Sequence, residues 1–154
     1  MTSILFLDVD GVLNHRACFL PSRRGSPLCP DAIARLQHVV KVTGCQVVLS
    51  STWRKLDHHV ESLREAGGFP NPHSEWRTRE FRNIVTSVMP PHERPACRGD
   101  EIAEWLSRHE TDRYAIIDDD SDMLPEQIPF FVQTTFETGL QDEHAERLVA
   151  ILSA

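Results

Sequence analysis

The chain opens with Ile4-Leu5-Phe6-Leu7-Asp8-Val9-Asp10-Gly11-Val12-Leu13-Asn14, an apolar run that leads straight into two carboxylates one residue apart and then a glycine. This stretch constrains the fold more than any other. A short apolar run bounded by a turn signal reads as a buried strand. Asp8 then stands at the strand's carboxyl end, where open α/β sheets bind ligands. Two like charges this close repel unless a cation lies between them or one holds a proton. A cation held by carboxylate oxygens points to magnesium. Taken alone, the segment also fits a strand that ends in a polar turn, since Asp and Gly are common turn residues. The rest of the chain decides between the two.

Residues 3–8 are the first expected strand. Residues 11–29 hold Pro21, Gly25 and Pro27 and are too broken for a helix. Pro30-Asp31 begins a helix with Ile33, Leu36, Val39 and Val40 at helical spacing, and Gly44 is its expected C-cap. Residues 45–50 form a second strand. A helix is expected from Trp53 to Ala66, with Leu56, Val60 and Leu63 on one face, stopped by Gly67-Gly68. Residues 69–79 look irregular, and 79–89 are read as a helix or an irregular segment. Asp100 is the expected cap of a helix over 101–109 with Ile102, Trp105 and Leu106 buried. Residues 114–118 are a third strand, 130–134 a short final one, and 141–152 a closing helix. This order predicts a Rossmann-like α/β fold, a parallel sheet flanked by helices, in a single domain over 1–154. Only residues 11–29 and 69–98 leave room for a lid, so a minimal cap or none is expected.

With 154 residues, 40% hydrophobic and 25% charged, the chain has the make-up of an ordinary globular domain. No apolar run approaches the roughly 20 residues that span a bilayer, and no basic segment precedes the first apolar run. A cytoplasmic location without membrane contact is therefore expected. The net charge of −7 disfavours general nucleic-acid binding. It leaves room for a local basic site among Arg77, Arg79, Arg82, Arg94 and Arg98, although a solvated face is the plainer reading. Cys18, Cys29, Cys45 and Cys97 contain no CxxC pair. Free thiols are preferred to a metal site that would join Cys18 and Cys29 to His15.

Three strand ends carry polar groups. Asp8 and Asp10 follow the first, Ser50, Ser51 and Thr52 the second, and Asp118, Asp119, Asp120 and Asp122 the third. In a parallel sheet these converge on one edge, which suits magnesium-dependent phosphoryl transfer. Asp8 is the candidate nucleophile. Asp10, past the strand end, could protonate the leaving oxygen and later deprotonate water. Asp8, the backbone carbonyl of Asp10 and Asp118 are natural metal ligands, with Asp119 or Asp122 completing the shell. Ser50, Ser51 and the amides that follow could hold phosphate oxygens, helped by the next helix N-terminus.

Together these segments resemble the haloacid dehalogenase (HAD) superfamily of aspartate-nucleophile phosphatases. Residues Asp8-Val9-Asp10-Gly11-Val12-Leu13 match its first motif, Val47-Val48-Leu49-Ser50 its second, and Ile116-Ile117-Asp118-Asp119 with Asp122 its fourth. More narrowly, Leu49-Ser50-Ser51-Thr52-Trp53-Arg54, the run from Arg98 to Leu106 and the run from Asp118 to Met123 resemble small HAD modules of RNA-repair proteins. The resemblance implies a HAD-like core, an aspartyl-phosphate intermediate and Mg2+. It also implies a phosphomonoester substrate, either a small molecule or a nucleic-acid end, and partners among RNA-repair proteins. One departure stands out. The family's third motif is usually a lysine just before the helix at 101–109, and neither Lys41 nor Lys55 lies there. Arg98 is the best substitute and Lys55 the runner-up.

Asp10 argues against a dehalogenase, because a leaving ester oxygen needs a proton and a halide does not. Trp53 and Trp105 read as core, Trp76 as the better stacking residue, and His15, His58, His59, His73 and His92 as surface. Two readings from other classes remain: a phosphate- or partner-binding module with weak or no turnover, and a receiver-like signalling domain. The receiver is disfavoured because its phosphoacceptor follows a middle strand and its signature lysine is missing.

Overall fold

The computed structural model of the chain describes residues 1–20, 27–80 and 97–154. Its centre is strand β1 (Ser3–Leu7), where Ile4 to Leu7 are wholly buried. Parallel neighbours lie on both sides: β2 (Gln46–Leu49) on one and β4 (Arg113–Asp118) on the other. Strand β3 (Pro72–Arg77) extends the sheet beyond β2, and β5 (Phe131–Gln133) beyond β4. All pairings are parallel, in the order β3-β2-β1-β4-β5. The expected α/β, Rossmann-like parallel sheet is what the chain forms.

The side-chain period of two sorts each strand between two cores. Leu5, Leu7, Val47, Leu49, Ala115 and Ile117 face one side. Helix α1 (Pro30–Thr43), helix α2 (Asp57–Glu65) and helix α4 (Asp142–Ser153) pack there through residues such as Leu36, Leu63 and Leu148. Ile4, Phe6, Val48 and Ile116 face the other side, against Ile102 and Trp105 of helix α3 (Arg98–Ser107). The sides follow from right-handed crossovers. The chain moves outward from β1 through β2 to β3, then returns past β1 to β4, which puts α3 opposite α1 and α2. That reversal makes a switch point between β1 and β4.

Gly44 ends α1 in a left-handed conformation at φ 69°, as its position predicts. Three expectations need correction. First, the helix read from Trp53 is split. Thr52–Lys55 is a 3-10 turn in which the Ser51 hydroxyl accepts from Trp53 N–H, and α2 starts only at Asp57, leaving Leu56 exposed. Second, Asp100 does not cap α3 from outside. It lies in the first turn, and its carboxylate accepts from the backbone N–H of Cys97, the residue that precedes the helix. Third, residues 72–77 are a strand, where an irregular segment was expected. Their mostly polar side chains sit on an exposed edge and carry no alternating apolar signal. The possible helix over 79–89 falls mainly outside the described residues, as do Arg82 and Arg94. No described helix is long and apolar enough to cross a membrane.

Candidate active site

Strand register builds the site. Leu7 pairs with Leu49 on one side and with Ile117 on the other. The next residue out on each strand is therefore Asp8, Ser50 or Asp118. Backbone bonds hold them level: Asp8 N–H donates to the Ile117 carbonyl at 3.1 Å, and Ser50 N–H to the Leu7 carbonyl at 3.0 Å. By the same period of two, all three lie on the face covered by α3. Arg98, the first residue of α3, meets them there. Its Nη1 is 3.7 Å from Asp8 Oδ1, and its Nε is 4.0 Å from Asp118 Oδ2.

Asp8, Asp118 and Asp119 place one carboxylate oxygen each within 4.8 Å of one another. Burial, followed by the charge of Asp118, pushes the Asp8 carboxyl up to about 8. Burial pushes Asp118 up to about 6, against the pull of Arg98. Burial raises both carboxyls, and two acids buried this close resist ionising together. Asp119 packs against Gly11, where φ is +79° and a Cβ would collide with the Asp119 carboxylate. Only glycine meets both demands. Asp122 lies elsewhere: its carboxylate accepts from the Arg98 N–H at 3.0 Å, and its carbonyl accepts from Gly99 N–H at 3.1 Å. It anchors the end of α3 that carries Arg98.

Three side-chain atoms here are buried with no hydrogen-bond partner among the described residues: Ser50 Oγ, Arg98 Nη1 and Asp118 Oδ2. Such orphans are costly unless a ligand serves them. One is a hydroxyl, one a cation and one an anion, so the set matches an anion and a metal cation bound together. Hard carboxylate oxygens suit magnesium, and the donor set therefore fits it.

Asp10 stands just outside this cluster and is exposed, but it is held. Asn14 Nδ2 donates to its Oδ1 at 2.8 Å and Trp53 Nε1 at 3.2 Å, while Asn14 Oδ1 accepts from Gly11 N–H at 2.8 Å. Sequence reasoning missed both partners. Asn14 is fully buried, and Trp53 was read as core only. The clue was an asparagine four residues after Asp10, directly following the first motif.

Arg54 was also missed. Its buried guanidinium donates to the carbonyls of Ser50, Ser51 and Thr78 and pairs with Glu101 at 2.6 Å. It thus ties the ends of β2 and β3 to α3. Ser51 is buried, and its hydroxyl is occupied by Trp53 N–H at 3.1 Å. Lys55 pairs with Glu80, and among the described residues Arg98 is the cation that reaches the acid cluster. None of the four cysteines is in a disulfide.

A family model described as "HAD domain in Swiss Army Knife RNA repair proteins" matches residues 4–145. No curated protein and no solved structure is similar enough to match.

Proposed function

The chain belongs to the HAD domain family of Swiss Army Knife RNA repair proteins, and from that premise we propose that it is a magnesium-dependent phosphomonoester hydrolase acting through an aspartyl phosphate. The observation that carries the reading is the trio of buried atoms without a hydrogen-bond partner among the described residues, Ser50 Oγ, Arg98 Nη1 and Asp118 Oδ2, beside the carboxylate of Asp8. Their chemistry supports one phosphoryl group and one cation held side by side.

In this mechanism an Asp8 carboxylate oxygen attacks phosphorus, and the bond from phosphorus to the ester oxygen breaks. Asp10 gives its proton to the departing oxygen. Water then loses a proton to Asp10 and attacks the same phosphorus. The acyl-phosphate bond breaks, releasing inorganic phosphate and restoring Asp8. Arg98 and the Ser50 hydroxyl hold the phosphoryl oxygens, and Ser51 contributes its backbone amide. Asp8, Asp118 and Asp119 would hold magnesium, which when bound offsets the repulsion between carboxylate and phosphate. Asn14 and Trp53 orient Asp10 through its Oδ1. Arg98 supplies the positive charge that lysine gives in the family's third motif, with a planar fork of donors. The substrate is a phosphorylated nucleotide or nucleic-acid end, in keeping with the RNA-repair family, whose other members are candidate partners.

The test is phosphate release with magnesium from 3′- and 5′-phosphorylated oligonucleotides, mononucleotides and sugar phosphates, with Asp8→Asn alongside. Release from a nucleotide class that disappears in the variant supports the reading. No release from any substrate by folded, magnesium-bound protein replaces it with a phosphate-binding module.

A further inference from the structure

Strand β3 is irregular in a way that shapes the surface beside the site. Between its registered partners, β2 advances from Val47 to Leu49 while β3 advances from Pro72 to Arg77. The surplus residues bulge from the sheet edge, a device that disrupts edge pairing and re-aims side chains. A groove of about 810 Å³ lies along this bulge, lined by Arg54, Lys55 and residues 74–80. It adjoins the site, because Arg54 lines it while donating to the Ser50 carbonyl at 2.8 Å. Thr78 N–H also donates to the Leu49 carbonyl, one residue before Ser50.

The groove's charges are unevenly matched. Glu75 is drawn to Arg108 at 2.8 Å, Glu80 to Lys55 and Arg54 to Glu101. Arg77 is exposed and has no carboxylate within ion-pair distance among the described residues; its guanidinium lies 5.1 Å from the Trp76 ring centre. Arg79 is 55% exposed, and Glu104 is no nearer than 3.8 Å. A chain with net charge −7 therefore presents one arginine with no carboxylate partner among the described residues, a second held only by a 3.8 Å ion pair, and a half-buried indole in a groove beside its phosphate site. Positive side chains that follow a backbone, combined with an aromatic surface for bases, are what single-stranded nucleic acid requires.

We propose that the groove bounded by Arg77, Arg79 and Trp76 binds the single strand that leads to the terminal phosphate, so that the enzyme selects polymer ends over small phosphomonoesters. The proposal rests on the phosphatase reading for the reacting end, and the two fail separately. Binding is read by fluorescence anisotropy, using labelled single-stranded RNA of about ten nucleotides with a 3′-phosphate and the Asp8→Asn protein, which prevents turnover. Adding Arg77→Ala and Arg79→Ala should weaken binding about tenfold and reduce the salt slope by about 1.4, since each single-strand phosphate contact contributes about 0.7. The same pair of substitutions with Asp8 intact should leave kcat/KM for p-nitrophenyl phosphate within about twofold, because that substrate ends at the site. Three results would overturn the proposal: unchanged RNA binding, an equal loss on p-nitrophenyl phosphate, or displacement of RNA by a poly-glutamate peptide as effective as unlabelled RNA. If no phosphate ester is turned over, the phosphatase reading falls, while the anisotropy still decides the groove.

Discussion

Replacing Asp8 by asparagine should stabilise the metal-free protein, and the gain should grow with pH. In the folded chain the Asp8 carboxyl is pushed up to about 8 by burial and by Asp118, against an ordinary value of 3.8 that holds when the chain unfolds. Between those values the folded state holds a proton that the unfolded state has lost. Stability therefore falls as pH rises from about 4 to about 8, by roughly 1.4 kcal/mol per pH unit, and is level on either side. At pH 7 the penalty is on the order of 4 kcal/mol. Asparagine never ionises and escapes it, but it buries an amide whose unpaired N–H donors cost about 1–2 kcal/mol, so a net gain of about 2–3 kcal/mol is expected. For a chain of this size that is a rise in Tm of roughly 5–10 °C. Thermal unfolding of both proteins in chelator at pH 5, 6, 7 and 8 measures it. Saturating magnesium should reverse the order, since the ion favours the ionised carboxylates. A variant less stable than wild type at pH 7 in chelator, or a difference that does not change with pH, would refute the electrostatic account of the site.

Arg98→Ala should lower kcat/KM for a phosphomonoester by about 10²–10³, with Arg98→Lys losing less because the charge remains; steady-state phosphate release reads both. Asn14→Ala frees Asp10 from its 2.8 Å donor and should lower kcat about tenfold for an alkyl phosphate, but far less for p-nitrophenyl phosphate, whose leaving group needs little protonation. Arg54→Ala leaves the half-buried Glu101 with only Arg98, at 4.0 Å, and removes the donor to three carbonyls. A loss of about 3–5 kcal/mol is expected in urea unfolding.

Much of the fold was legible because its signals are local. The apolar runs at Ile4–Leu7, Val47–Leu49 and Ala115–Ile117 are buried on both faces, and such strands read as continuous hydrophobic stretches. The edge strand Pro72–Arg77 was illegible for the opposite reason: one side faces solvent, a bulge breaks its alternation, and pairing with β2 alone makes it a strand. Likewise, nothing local marks the break at Leu56, since Trp53 to Glu65 keeps an acceptable helical pattern. The Ser51 cap and the anchoring of Arg54 impose the 3-10 turn.

What the sequence by itself determined is the chemistry at each strand end: Asp8 with Asp10, Ser50 with Ser51, and Asp118 with Asp119, each following an apolar strand. A parallel sheet must bring such ends to one edge, so their convergence follows from the pattern alone. Only the tertiary structure decided which neighbours complete the site. Asp119 joins the acid cluster while Asp122 anchors α3, Arg98 reaches Asp8 while Lys55 turns to Glu80, and Asn14 and Trp53 clasp Asp10. The reason is physical. Residue type sets what a group can do, but whether it does so depends on distances of a few ångströms between segments far apart in the chain, and strand register and helix placement set those distances only once the core has packed.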